Sequence, residues 1–323
     1  LGDVYKRQIL SFIIKKIGVD KIRKVLPAQV VGPMIMVIGL NLIPDALKNA
    51  GVNGLLGGET GAIRNVLIAA VTLGLALIIK HYGKGMLKQV AILIAVVVGY
   101  GISYVMGIVE TGAISEAALL AVPNFTLPKF DLSAIVIIVP VVLAVFMEHV
   151  GDITTNGQVV GKNFIEDPGL NRTMLGDGLA TFAAGLIGGP ANTTYGENTG
   201  VLAITKNYDP SILRITAVFA ILLSFIGKFR AVIVTMPSPV MGGISLMLFS
   251  MIAIVGVQTI KREKVEMNIQ NIIIIIAILF IGLSGNILST PIGIRVTSSV
   301  SISGLSLAGI VAVSYTHLTL PTK

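Results

Sequence analysis

Residues 189–206 read GPANTTYGENTGVLAITK, and the apolar stretches on either side of them decide what kind of protein this is. ATFAAGLIGG (180–189) leads into the segment, and ITAVFAILLSFIG (215–227) follows a few residues on. Glu197 therefore stands at membrane depth, where an ionised side chain costs ~2.5–3.5 kcal/mol and faces a cavity or a partner. The segment is too dense in Gly, Asn and Thr for an ordinary spanning helix. Irregular backbone at that depth persists only where protein buries it or where it lines a water-filled site. An interrupted span of this kind marks the binding site of a transporter. ENTGVLAI (197–204) has the composition of a short helix after an extended NTTY (192–195), so the unpaired N–H groups of its first turn face the break. Gly196 allows close backbone approach, Asn198 offers a donor and an acceptor, and Gly200 allows tight packing. Alternatively, Glu197 only caps this helix, since acids favour the first turn.

The rest of the chain fits a polytopic all-α membrane protein. Of its 323 residues 54% are hydrophobic and 12% charged, with a mean hydropathy of +0.90. The apolar residues come in long runs rather than amphipathic stripes. Spans are expected at 9–17, 28–43, 65–80, 89–108, 134–160, 173–188, the broken 190–205, 211–227, 238–257, 269–284 and 302–313. Several fall short of the ~20 residues that cross the hydrocarbon core. The net charge of +8 is a topology signal, not a nucleic-acid one. If the 15–24 loop is cytoplasmic, fifteen Lys and Arg between Lys15 and Lys264 fall inside. Six, namely Lys48, Arg64, Lys129, Lys228, Arg230 and Arg295, fall outside. This positive-inside bias requires residues 190–205 to cross the membrane. The chain has no Cys, which excludes disulfides and thiolate metal sites. Three scattered histidines make no metal site, and Gly83-Lys84, Gly161-Lys162 and Gly227-Lys228 lack the context of a phosphate loop. No cofactor is expected, only a proton as coupling ion.

A second group of polar residues lies in FMEHVGDITTNG (146–157). Glu148 and Asp152 are one helical turn apart and share a face. Two carboxylates so close in low dielectric cannot both ionise cheaply, so one holds a proton near neutral pH and can carry it. In the alternative, Asp152 sits at the water boundary and only Glu148 is buried. His149 is about 100° around the helix from Glu148 and is expected to pack rather than relay. Asp177 is expected to be structural, and Pro237, Pro239, Gly242 and Gly243 to form a kink-prone span entrance. VLPAQVVGPMIMVIGL (25–40) aligns with TMPSPVMGGISLMLFS (235–250), placing Pro27 on Pro237, Val30 on Val240 and Gly32 on Gly242. Seven spans separate the two starts, so the copies cross in opposite directions, as in an inverted repeat. Leu1–Gln8 and Ser314–Lys323 look foreign to the chain and are set aside as sequence artefacts. The remainder is expected to be an internal fragment of a longer protein.

On these residues the chain resembles the nucleobase–ascorbate transporter family, also called nucleobase:cation symporter type 2. Glu197-Asn198-Thr199-Gly200 through Thr205-Lys206 fits that family's signature, and FMEHVGD, DPGLNRT, PANTTYGEN and MPSPVMGG match its uracil branch in order. The resemblance covers residues 9–313. It implies fourteen spans in two inverted sevens, a core domain and a gate domain, of which about eleven spans are present. Residues 9–27 would end the first core half and its cytoplasmic loop. Residues 28–133 would be gate spans, 134–235 the second core half with the substrate site, and 236–313 further gate spans. The resemblance further implies that Glu148 and Glu197 contact the pyrimidine, with backbone from Gly196 and Tyr195 and with Asn198 beside them. Glu148 and Asp152 would serve proton coupling. The implied activity is proton-coupled import of uracil or a related nucleobase across the inner (plasma) membrane by a multi-pass protein. Lipid and protons are its other partners, nucleic acid is not, and a homodimer is left open. Some members of the uracil branch have His where Asp152 stands, which changes the route of the proton. The first three spans, with the extended segment that completes the site, would be missing. The nearest alternative is a xanthine or purine permease, which an amide at position 197 would suit better. A membrane-embedded hydrolase using Glu148 and Asp152 lacks a nucleophile or metal. A channel suits a broken span with one hydrogen-bonding acid less well.

Overall fold

The computed structural model describes residues 27–129, 141–194, 196–288, 291–295, 301–304, 307–311 and 314. The span expected at 9–17, the first residues of the one expected at 134–160, and Tyr195 lie outside the described residues. Helices α1 (Ala28–Asn49), α2 (Val52–Leu56), α3 (Ala62–Tyr82), α4 (Met86–Gln89), α5 (Ala91–Val105) and α6 (Gly112–Glu116) come first. Then come α7 (Val141–Val160), a single π-helical turn (Ile165–Gly169), α8 (Leu170–Leu186) and α9 (Gly196–Thr205). Four more helices follow: α10 (Pro210–Ser224), α11 (Gly227–Val234), α12 (Ser238–Arg262) and α13 (Ile269–Ile287). Of these, α1, α3, α12 and α13 are long and apolar enough to cross a membrane.

Strand β1 (Gly293–Arg295) pairs antiparallel with β2 (Ser301–Ser303), Ile294 opposite Ile302. This corrects the span drawn at 302–313, whose first two residues are extended while 307–311 are helical; the described residues otherwise fit the expected all-α architecture. The sequence around β1 is broken by Pro291 and Gly293 and carries β-branched Ile, Val and Thr, which fit an extended pairing better than a helix.

The two segments that align in sequence fold alike. Helix α1 starts one residue after Pro27 and α12 one residue after Pro237. The Pro27 carbonyl accepts from the N–H groups of Val30 and Val31 at 2.9 and 3.1 Å, and the Pro237 carbonyl from those of Val240 and Met241 at 3.0 and 3.2 Å. Proline suits that place because its missing N–H would be unpaired there anyway. Burial repeats at the same spacing: Val30, Met34 and Val37 on α1 match Val240, Ile244 and Met247 on α12, all at most 5% exposed. That is one helical stripe written twice.

Contacts divide the chain into two compact units, one of residues 1–41, 126–199 and 249–323, the other of 42–125 and 200–248. In the first unit α1 and α12 run antiparallel where they touch, Gly32 lying against Gly256 and Gly39 against Phe249 and Ala253. A Cβ at Gly256 would lie 2.5 Å from the Gly32 carbonyl oxygen and 2.7 Å from the Met36 nitrogen. Small residues let helix backbones approach this closely in membranes. Gly256→Ala is therefore expected to destabilise the protein by about 1–3 kcal/mol, the cost of overpacking against backbone that cannot step aside. A lowered thermal unfolding midpoint in detergent would register it, and an unchanged midpoint would contradict the close packing. Among the described residues, two apolar clusters pack within this unit. Val31 and Ile35 of α1 pack with Phe146 and Val150 of α7 and Leu170 and Met174 of α8. Val30, Met34 and Val37 pack with Ile274 and Ile278 of α13 and with Ala308.

In the second unit α3 and α5 meet through small faces. Ala69, Thr72 and Ala76 of α3 are buried, as are Ala91, Ala95, Gly99 and Ser103 of α5, with Gly99 against Thr72. The Thr72 and Ser103 hydroxyls donate to the carbonyls of Ile68 and Gly99 in their own helices, each at 2.8 Å, so neither is left bare in an apolar interface. Helix α10 opens on Asp209, whose carboxylate accepts from the Ser211 N–H at 2.8 Å, with Pro210 in the first turn. The bonds to Ser211, aided by Arg214, hold the Asp209 carboxyl below the usual carboxylate range. The stabilisation from this cap is thus present above the ordinary carboxylate pKa and fades as pH falls through the lowered folded value.

Candidate substrate and proton site

The interlock of Phe146 and Val150 with Leu170 and Met174 seats α7 on α8 and decides which polar residues meet. His149 shares that inward face and is only 2% exposed. Its Nε2 lies 3.0 Å from Thr173 Oγ1, and its Nδ1 lies 3.8 Å from Asp177 Oδ2. His149 is buried, as expected of a packing residue, but polar groups of α8 hold its ring. Asp177, expected to be structural, is one of those groups. The sequence did carry a signal: Thr173 and Asp177 are four apart on one face, and an acid within an apolar helix is a functional candidate by default.

Glu148 and Asp152 are both half-buried. Asn156 extends their row by one more turn. Its Oδ1 accepts from the Thr199 hydroxyl at 2.6 Å, and Thr199 is 7% exposed. Thr199 belongs to α9, whose second residue is Glu197. The helix that carries Glu197 is therefore tied to the same row of α7 that carries Glu148 and Asp152. The preceding residues 189–194 are not helical. Thr181 of α8, buried to 4% exposure, fixes them: its hydroxyl donates to the Asn192 carbonyl at 3.2 Å and accepts from the Asn192 N–H at 3.1 Å. One limb of the broken segment is thus fastened to α7 and the other to α8. Gly196 begins α9, so Glu197 stands in the first turn, where backbone N–H groups lack helical partners. Asn198 is exposed. Helix α9 stops at Thr205, and Lys206 follows with φ of 52°, uncommon for a residue other than glycine. Neither Thr181, Asn156 nor Thr199 was singled out from sequence, because a hydroxyl's partner across helices has no local signature.

Thr199→Val keeps the shape of the side chain but removes its hydrogen bond to Asn156. Unfolding in detergent is expected to show a loss of about 1 kcal/mol, with Thr199→Ser restoring most of it. Equal stability of all three proteins would mean the bond does not hold α9 in place.

A cavity of about 510 Å³ near the ends of α1 and α12 is lined by Gln29, Gly151, Thr154, Arg262, Glu263 and Glu266 among others. Its described lining includes neither Glu148 nor Asp152. Among the described residues, no three His, Asp or Glu side chains come together as a metal-binding group.

Four long apolar helices, a polar segment broken between apolar ones, and acids on a half-buried helix face define a polytopic helical membrane protein. The chain belongs to the Permease family, whose sequence profile matches residues 7–290. It is 39% identical over 306 residues to a protein of Pasteurella multocida (strain Pm70) named probable uracil permease, covering 94% of this chain and 71% of that one. It is 40% identical over 308 residues to the uracil permease of Escherichia coli (strain K12), covering 94% of this chain and 70% of that one. With the uracil permease of Bacillus subtilis (strain 168) the identity is 37% over 313 residues, 94% of this chain and 71% of the relative. The protein is a membrane permease and not an enzyme.

Proposed function

We propose that this permease imports uracil across the cytoplasmic membrane together with a proton. The bond from Thr199 to Asn156 carries the proposal, because it ties the Glu197 helix to the row of Glu148 and Asp152. The names of the relatives supply the substrate. Uracil is a flat ring with two N–H donors and two carbonyl acceptors. An ionised Glu197 accepts from a ring N–H, and unpaired backbone N–H groups around Gly196 and Asn198 donate to a carbonyl. Glu148 meets the pyrimidine from α7. Glu148 and Asp152 pass the coupling proton, taking it from outside and releasing it inside. The matched openings of α1 and α12, with their antiparallel contact, support a seven-plus-seven inverted repeat. Residues 134–235 then form the second core half, and 28–133 and 236–313 the gate.

The test is uptake by the full gene product in proteoliposomes with an acidic exterior. Labelled uracil should accumulate, and excess unlabelled uracil but not xanthine should compete. Competition by xanthine alone would assign the site to purines.

A further inference from the structure

We infer that His149 is a second proton-binding position of the permease, poised between two hydrogen-bonded states by Thr173 and Asp177 of α8. The site as described so far gives this buried imidazole no task, although it is the residue next to Glu148. Its surroundings are specific. Thr173 Oγ1 lies 3.0 Å from His149 Nε2 and also 3.0 Å from the Leu170 carbonyl oxygen. A hydroxyl has one hydrogen, so it can donate to only one of them at a time.

The two choices correspond to two protonation states. If Thr173 donates to Nε2, that nitrogen is the acceptor of a neutral ring, and the ring's hydrogen is on Nδ1, facing Asp177 Oδ2 at 3.8 Å. If Thr173 instead donates to Leu170, Nε2 must carry a hydrogen and donate to Thr173. A neutral ring would then turn the lone pair of Nδ1 toward a carboxylate, an arrangement of two acceptors. A second proton on Nδ1 resolves this by making an imidazolium opposite Asp177. Proton uptake therefore adds one hydrogen at Nε2 and swings the Thr173 hydroxyl from His149 to Leu170. No heavy atom needs to move at Nε2, and the positive ring has the Asp177 carboxylate 3.8 Å from Nδ1, within ion-pair reach, in a buried setting where an uncompensated charge would be costly. Histidine is the side chain whose unperturbed titration falls near physiological pH.

Among the described residues, the neighbouring elements carry the following titratable groups. Helix α7 itself carries Glu148 and Asp152, and α8 carries Asp177 and the exposed Arg172. The π-helical turn carries the exposed Glu166 and Asp167. The residues of α1 and α12 packed on this cluster are Val31, Ile35 and Ile252. Among the described residues, the acids nearest a proton on His149 are Asp177 and the two of the substrate row.

The role in transport rests on the proton-coupled function proposed above, whereas the two ring states do not. The experiment is nitrogen NMR of the full gene product, labelled at histidine, in detergent micelles; the His149 signal is the one missing from His149→Gln. Neutral His149 should be the Nδ1–H tautomer at alkaline pH and should become doubly protonated as the pH is lowered across the range in which the protein stays folded. Asp177→Asn should shift the neutral ring toward Nε2–H and cut uracil accumulation under a pH gradient by about tenfold or more, and Asp177→Glu should restore both. A neutral Nε2–H ring in the parent, or one protonation state throughout that range, overturns the inference. Accumulation by Asp177→Asn equal to the parent's removes the pair from coupling. If the parent's uptake ignores the pH gradient, the proton-coupled function fails, and the spectrum decides the two ring states separately.

Discussion

Glu197→Ala is expected to abolish detectable uracil binding in a calorimetric titration of the full gene product. In the proposed site the Glu197 carboxylate accepts from the substrate, and a hydrogen bond to a charged group contributes about 1.5–3 kcal/mol. Its loss also leaves a desolvated ring N–H of the substrate without a partner, which adds a penalty of similar size. Each ~1.4 kcal/mol is a tenfold change in affinity, so together the two effects weaken binding by two or more orders of magnitude. Glu197→Gln should bind with intermediate strength, because an amide oxygen still accepts but carries no charge. Binding by Glu197→Ala at the parent's affinity would leave Glu197 with only its capping position in the first turn of α9.

Glu148→Gln is expected to separate binding from coupling. Glutamine keeps the shape and hydrogen-bonding capacity of a protonated glutamate but cannot release a proton. The variant should therefore bind uracil with weakened pH dependence and exchange labelled for unlabelled uracil across a proteoliposome membrane. It should fail to concentrate uracil against a gradient, because net import requires a proton to be released inside. Accumulation as high as the parent's would exclude Glu148 as the coupling residue and direct attention to Asp152, one turn along α7.

Much of this architecture is legible in the sequence. The starts of α1 and α12 follow from Pro27 and Pro237, since proline opens a helix but cannot continue one from within at no cost. The change from extended to helical backbone near Gly196 follows from Gly189-Pro190 and the run of Asn192, Thr193 and Thr194, residues that break regular structure. Helix ends were less legible. The span drawn at 28–43 ended too early: α1 continues through Pro44 and Asp45 to Asn49, and within it Asn41 donates to the Gly282 carbonyl at 3.0 Å. Likewise α12 runs to Arg262 rather than 257, closing on Lys261 and Arg262, cations that favour a helix C-terminus. The pairing of β1 with β2 was invisible to an apolar-run criterion, which counts Ile and Val alike in a short helix and a short strand. The His149–Asp177 pairing depends on the register of α7 against α8. Phe146, Val150, Leu170 and Met174 set that register from 20 or more residues apart, and no local pattern encodes it.

The central claim is that uracil and a proton move through this protein together. Its most direct measurement is proton flux driven by uracil alone. The full gene product is reconstituted in proteoliposomes with a pH-sensitive dye inside and no imposed pH gradient, and uracil is added outside. The expected result is acidification of the lumen that begins with uracil entry, saturates with uracil concentration, and is absent in Glu148→Gln. Uracil entry without any change in luminal pH would contradict the account.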